Sequence, residues 1–138
     1  MKLAPVIAQL QGIPGIKTVE DVFTLADLAT VQVALPALFV VPAARTAGQT
    51  QEGAGLIDVE TTVTFDVVIL VNAAATRGKN RDELETISEA VTKRLLGFTP
   101  GPEFRPFIPV SARLLGAAGG RVSWVQRFRT VTHERKVG

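Results

Sequence analysis

The sequence IDVETTVTFDVVILV spans Ile57–Val71, near the middle of the chain, and decides the predicted fold. Apolar, mostly β-branched residues occupy its odd positions except Thr61, and polar residues occupy its even positions as far as Asp66. This period of two predicts a strand with one buried and one solvated face, covered on both sides where both faces become apolar. A strand of this length would extend about 50 Å, so it is either bent or one arm of a projecting hairpin. We predict that it is the central strand of a sheet.

Several shorter elements are predicted before this strand. A helix begins near Ala4, since Pro5 fits only in a first turn, and Gly12 stops it. The others are a weak strand at Lys17–Phe23, two helical turns at Leu25–Gln32 capped by Thr24, and a buried strand at Pro36–Pro42. A proline marks each end of this last strand. Residues Arg45–Gly55 contain three glycines and no large apolar residue. They are predicted to form a flexible surface loop or, as the alternative, an arm that becomes ordered against a partner.

The clearest element after the strand is an amphipathic helix. Its apolar residues recur at spacings of three and four, at Leu84, Ile87, Val91 and Leu95. Asn80 is predicted to be its N-cap, with Glu83 in capping-box position, and Gly97 ends it. The remaining elements are a loop at Ala73–Lys79, an extended connection at Thr99–Pro109, a β-hairpin of Val110–Leu115 and Arg121–His133 around a glycine-rich turn, and a tail at Glu134–Gly138.

This order of elements predicts an α+β fold. The expected architecture is a mostly antiparallel sheet with a long central strand and a hairpin, and two main helices packed on one face. The chain has 138 residues, 46% of them hydrophobic, and no cysteine. It is therefore predicted to form a single domain, residues 1–138, with the flexible loop at 45–55. Its apolar runs are too short to cross a bilayer, so we expect a soluble protein that is made inside the cell and has no membrane partner.

Charge is unevenly distributed along the chain. Residues 1–72 carry a net charge of −4, and residues 73–138 carry +6. Arg121, Arg127 and Arg129 are predicted to share one face of the last strand, where their mutual repulsion needs acids of a partner, or solvent, to relieve it. The asymmetry fits nucleic-acid binding, or two complementary faces of a self-associating protein, or plain solvation of the surface.

The sequence contains no pattern of a catalytic, metal or cofactor-binding site. The segment Arg77–Asn80 precedes a helix but lacks the first glycine and the hydroxyl residue of a phosphate-binding loop. Asp58, Glu60 and Asp66 share a strand face without a histidine or cysteine nearby, which favours a solvated sheet face. The single histidine, His133, is predicted to lie at the surface. We therefore predict no catalytic residue, no metal and no cofactor.

One series of short motifs resembles the tail terminator proteins of long-tailed bacteriophages, the minor tail proteins that end the tail tube. The segment Arg94–Pro100, RLLGFTP, resembles the family's helix end of Leu-x-Gly-aromatic-x-Pro, with Phe98 where tryptophan is common. Further matches in the same order are Pro36, Ala37 and Val40; Phe65 and Val67; and Pro109, Gly119-Gly120, Trp124 and Phe128. The resemblance covers roughly residues 18–131, and the order of the motifs carries it.

The resemblance implies a structural virion protein without catalytic activity. Members of this family form a hexameric ring on the completed tail tube, stop its polymerisation and present a surface to the head-side connector. The implied partners are further copies of the chain, the tail tube protein and head–tail connector proteins, with DNA only as passing cargo. The implied location is the tail–neck junction of the virion, after assembly in the host cytoplasm.

Candidate interface residues follow from the uneven charge and from the polar loop. They are Arg45, Gln49, Gln51, Glu52, Asp58, Glu60, Arg105, Arg113, Arg121, Arg127 and Arg129. Two alternatives stay open at this point: a nucleic-acid-binding module that uses the basic C-terminal hairpin, and another phage neck or head-completion protein.

Overall fold

The long central strand is present as predicted, in the middle of a five-stranded sheet. The structure, a computed structural model, describes residues 1–53, 55–73, 77–118 and 120–137. Its elements are α1 (Ala4–Leu10), β1 (Thr18–Asp21), a 3-10 helix (Leu25–Ala29), β2 (Ala37–Gly53), β3 (Leu56–Asn72), α2 (Arg77–Leu95), β4 (Ile108–Ala118) and β5 (Arg121–Val137). The strand order is β1-β2-β3-β5-β4, and only the β1–β2 pair is parallel. The α+β fold with a mostly antiparallel sheet is therefore confirmed.

Alternation along β3 divides the sheet into two faces. The odd-numbered residues of β3 face α1 and α2, and this side is called the α face; the even-numbered residues lie on the opposite face. On the α face, Phe65 packs against Phe107 and Phe128, with ring centroids 4.8 and 5.8 Å apart. The predicted stripe of α2 packs on the same cluster, together with Val6 and Leu10 of α1. Both main helices thus lie on one face, as predicted.

The opposite face has a smaller core at one end of the sheet. Leu28 of the 3-10 helix packs there against Phe39, Val68, Leu70 and other buried residues. This second layer explains why the end of β3 after Val67 is apolar on both faces. The helical turns predicted at 25–32 are shorter in the structure, and the backbone N–H of Thr24 donates to the Asp27 carboxylate at 3.1 Å.

The prediction of a flexible loop at residues 45–55 is wrong, because β2 continues to Gly53 and pairs with β3 as far as that residue. Pro42 does not end this strand; the register shifts between Pro42 and Ala44, at a bulge that tolerates a residue without an N–H. Residues 43–53 of β2, 56–60 of β3 and 133–137 of β5 form a three-stranded extension, called the arm. The long β3 is thus one strand of a projecting hairpin, which is one of the two predicted alternatives.

Two element ends also differ from prediction. Helix α2 begins at Arg77, so Asn80 lies inside the helix and is not its N-cap. Strand β5 continues to Val137, so residues 134–137 are paired with β3 instead of forming a tail. The predicted turn includes Gly119, and the predicted loop before α2 includes residues 74–76; both lie outside the described residues. Neither described helix is long and apolar enough to cross a membrane.

Candidate assembly interface

The structure distributes the predicted interface residues over both faces of the sheet. The backbone of Arg105 is hydrogen-bonded to β5, where Thr130 of the α face donates to its carbonyl oxygen at 2.6 Å. Arg45 and Glu52 lie on the α face of the arm, opposite Val63 and Ile57. For Gln49, the side chain lies outside the described residues. The opposite face carries the others: Gln51, Asp58, Glu60, Arg113, Arg121, Arg127 and Arg129.

Arg127 is held by an acid of its own chain. Its guanidinium donates two hydrogen bonds to the Asp66 carboxylate, at 2.8 and 3.1 Å. Asp66 is buried in the sheet and is not on a solvated face. The hydrogen bond to Asp66 is the largest cause that raises the pKa of Arg127 above its ordinary value, and the charge attraction to Asp66 is the second. Burial lowers this pKa, but by less. The contribution of the charged Arg127 to stability is therefore fully present below its ordinary pKa and is lost only as the pH rises through its raised pKa.

Arg121 has a structural role as well. Its guanidinium donates hydrogen bonds to the carbonyl oxygens of Leu28, Ala29 and Val31, at 3.3, 3.3 and 2.7 Å. These bonds tie the 3-10 helix to the start of β5. The expectation that Arg121, Arg127 and Arg129 repel one another until a partner or solvent relieves them is therefore wrong for two of the three.

Substituting Arg121 should loosen the segment that it holds. We expect Arg121→Ala to lower the free energy of unfolding by about 1–3 kcal/mol, because a charged donor to three carbonyl groups is lost. Amide hydrogen exchange should become faster in residues 25–31. The matched control is Arg113→Ala, which removes an exposed arginine and should change stability by less than about 0.5 kcal/mol. Equal effects of the two substitutions on exchange at 25–31 would contradict this role.

Further ion pairs connect the acidic first half of the chain to its basic second half inside the arm. Asp58 contacts His133 at 3.1 Å and Arg135 at 3.4 Å. Arg45 of β2 forms an ion pair with Glu134 of β5. His133 is half-buried in this network, whereas the sequence predicted a surface residue. Because β3 and β5 are neighbours, part of the uneven charge is balanced within one molecule, and the split alone does not define two charged surfaces.

Three predicted interface residues on the opposite face remain without an ion pair. Among the described residues, no side chain of opposite charge lies within 4.0 Å of Arg113, Arg129 or Glu60. Arg113 and Arg129 lie in or beside β4, and Glu60 lies in the arm. Gly48 of β2 covers Glu60: a Cβ at this glycine would be 3.3 Å from the carbonyl oxygen of Glu60. These three unpaired charges thus lie on one face of the sheet, the two arginines in or beside β4 and the glutamate in the arm.

Strand β4 is a sheet edge with unusual exposure. Large apolar side chains are exposed along it, at Ile108, Val110, Leu114 and Leu115. Beside it on the α face, a groove of about 360 Å³ runs between β4 and α2 and is lined in part by Ser88, Thr92 and Gln126. Gln126 donates to Thr92 Oγ1 at 2.9 Å, while its buried Oε1 has no partner among the described residues. The sequence indicated the arginines as the interface and missed this edge, because single apolar residues on a hairpin resemble core positions.

The candidate interface offers charged and polar groups for binding. In the described part of the chain, no group of three or more histidine, aspartate or glutamate side chains is placed to hold a metal ion. Five of the candidate interface arginines lie in the second half of the chain, and in the described structure only Arg113 and Arg129 of these are both unpaired and on one face. Such a pair gives little of the extended phosphate contact that nucleic-acid binding requires.

Comparison with known proteins identifies the family and the fold. The family model described as phage tail terminator protein matches residues 1–136, so the chain belongs to this family of structural phage tail proteins. A chain of the solved structure entitled "Virion of native gene transfer agent (GTA) particle" matches with a TM-score of 0.53 and 14% identity, over 94% of this chain and 85% of that chain. At this identity the likeness shows a shared fold. No curated protein matches the chain.

Proposed function

We propose that this protein ends a phage tail by forming a ring, of six copies, on the last layer of the tail tube. In this role it stops further tube polymerisation and presents a surface to the head-side connector proteins at the tail–neck junction. It acts without catalysis, metal or cofactor and assembles in the host cytoplasm. The observation that carries the proposal is the family match over residues 1–136, nearly the whole chain.

The physical requirement of termination supports this role. A tube of stacked rings is an open assembly, because each added ring recreates the surface to which it bound. A terminator must bind the last ring with one surface and expose a different surface outward. It must also contact its own neighbours by unlike patches, since head-to-tail contacts are those that close into rings. The arm and the β4 edge are two unlike surfaces on opposite sides of one sheet.

The test is tail tube polymerisation with and without the purified chain. We expect tubes to stop growing when the chain is added, and the chain to be bound at their ends. Native mass spectrometry should show a ring with the mass of six copies. Buffer alone is the control, and tubes should then continue to lengthen. Unchanged tube growth with the chain bound along the tube walls would contradict the proposed function, as would binding to DNA in place of tube ends.

A further inference from the structure

The sheet has two free edges, and they belong to different strands. Strand β1 pairs only with residues 37–40 of β2, so the outer side of β2 from residue 41 to 53 carries no strand in the described structure. Strand β4 pairs only with β5. Free edges present unpaired N–H and C=O groups and invite another chain, unless charges, short length or a cover protects them. Strand β4 has 11 residues, several exposed apolar side chains and one charged residue, Arg113.

Strand direction makes the two edges compatible with each other. The four strands β2, β3, β5 and β4 are all antiparallel to their neighbours, so β2 and β4 run in opposite directions. If the axis of the ring runs along the strands, rotation from one copy to the next leaves every strand direction unchanged. The β2 of one copy then meets the β4 of the next in antiparallel orientation, and the contact repeats around the ring.

Side-chain size and charge distinguish this pairing from its main competitor. Two β4 edges related by a two-fold axis would also be antiparallel, but they would place Arg113 and Arg129 of both copies on the same face. Like charges across strands destabilise a sheet. On this face the arm instead offers the small residues Ala44 and Thr46 at its edge, and the unpaired Glu60 lies one strand further in, beside Gly48. Arg113 and Glu60 would be about 10 Å apart at their backbones, a distance that their side chains can bridge.

Bulges define where regular pairing is available. In β4 they leave residues 111–114 as a regular run, and in β2 they leave residues 44–47 and 50–53. The free part of β4 lies beside residues 64–72 of β3, whereas the free part of β2 lies beside residues 56–66. This displacement along the strands means that successive copies pair with tilted strands, as closed sheets require.

We propose that the outer edge of β4 pairs with the outer edge of the β2 arm of a second copy of this chain, so that neighbouring copies share one antiparallel sheet. This inference rests on the proposed ring and names the surfaces that build it. The exposed apolar residues of β4 are then covered by the neighbour's arm, and Arg113 and Arg129 lie near the neighbour's Glu60.

Disulfide cross-linking tests the pairing directly, because the chain has no cysteine. Gln51 and Ser111 are exposed, lie on the same face, and belong to the regular runs of β2 and β4, and pairing them brings Arg113 level with the neighbour's Glu60. Under oxidation we expect the double variant Gln51→Cys, Ser111→Cys to give a ladder of cross-linked chains up to the size of the ring. Each single variant should stay uncross-linked. Dimers from Ser111→Cys alone would overturn the proposal in favour of a two-fold β4 contact.

A second variant pair keeps the test independent of the exact register. Leu114→Lys places a charge on the β4 edge, and Leu96→Lys is its control, because both leucines are 57% exposed. We expect Leu114→Lys to remain folded with an unchanged melting temperature of the single chain, and to lose the ring mass, while Leu96→Lys keeps it. If Leu114→Lys still forms the ring and the double cysteine variant gives no cross-links, this inference is overturned and the proposed function is left standing. Absence of any ring and of tube capping would contradict both.

Discussion

Replacing Phe65 by alanine should lower the free energy of unfolding by about 3–5 kcal/mol. Phe65 is fully buried at the centre of β3, where its ring packs against Phe107 of the connection after α2 and Phe128 of β5. These aromatic contacts join the long strand, the hairpin and the connection into one core. A cavity at this position cannot be refilled without moving all three. Equilibrium unfolding in urea measures the loss.

The neighbouring residue supplies the control for this prediction. Thr64 points to the opposite face and is half-buried, and its hydroxyl donates a long hydrogen bond of 3.4 Å to the carbonyl oxygen of Ala44. Thr64→Ala should cost less than about 1 kcal/mol. Comparable losses at Phe65 and Thr64 would mean that the assignment of the two sheet faces is wrong.

The second large effect is expected at Arg127. Arg127→Glu should lower the free energy of unfolding by about 2–4 kcal/mol, because the buried Asp66 carboxylate loses its only cationic partner among the described residues and gains a negative neighbour. Partial exposure of Arg127 to solvent keeps the loss below that of a fully buried pair. Unfolding at low protein concentration, where neighbours do not contribute, is the measurement.

Arg129→Glu is the matched control, because Arg129 is two residues away on the same strand and face but is exposed and has no ion pair in the described structure. Its effect on the stability of the single chain should be under about 0.5 kcal/mol. Ring formation should nevertheless weaken in Arg129→Glu, as it should at raised salt. If Arg127→Glu and Arg129→Glu were equally stable, the Asp66 pair would not have the structural role assigned to it.

The spacing of apolar residues correctly predicted the helices and strands that are buried on one side and exposed on the other. Apolar and polar residues alternate in β3 because the helices cover one of its sides. The apolar stripe of α2 packs against the same core from the helix side. Trp124 and Phe128 lie on the α face of β5, opposite the face that the sequence predicted for Arg121, Arg127 and Arg129. In these segments a period of two or of three to four residues is a direct consequence of one-sided burial.

The arm was missed because that signal is absent there. The side chains described in residues 43–53 of β2 are all exposed, so no alternation of apolar and polar residues arises. The strand is held by backbone hydrogen bonds to β3, which small polar residues and glycines supply as well as any others. The N-terminus of α2 was misplaced for a related reason, since the capping pattern at Asn80 occurs inside a helix that begins at Arg77.

The candidate interface was only partly predictable. Charge along the chain indicated which residues are polar, but pairing between strands decides which charges remain free. Asp66 and Arg127 are 61 residues apart in sequence and share two hydrogen bonds in the sheet. The distribution of free charge therefore depends on the register of β3 and β5, which the sequence does not reveal before the fold is known.

Electron microscopy of complete tails that contain a labelled copy of this chain tests directly whether the protein ends the tube. We expect one layer of label, with six copies in a ring, at the end of the tail that meets the head, and overlong tubes when the chain is omitted. Label repeated along the tube, or tails of normal length without the chain, would contradict it.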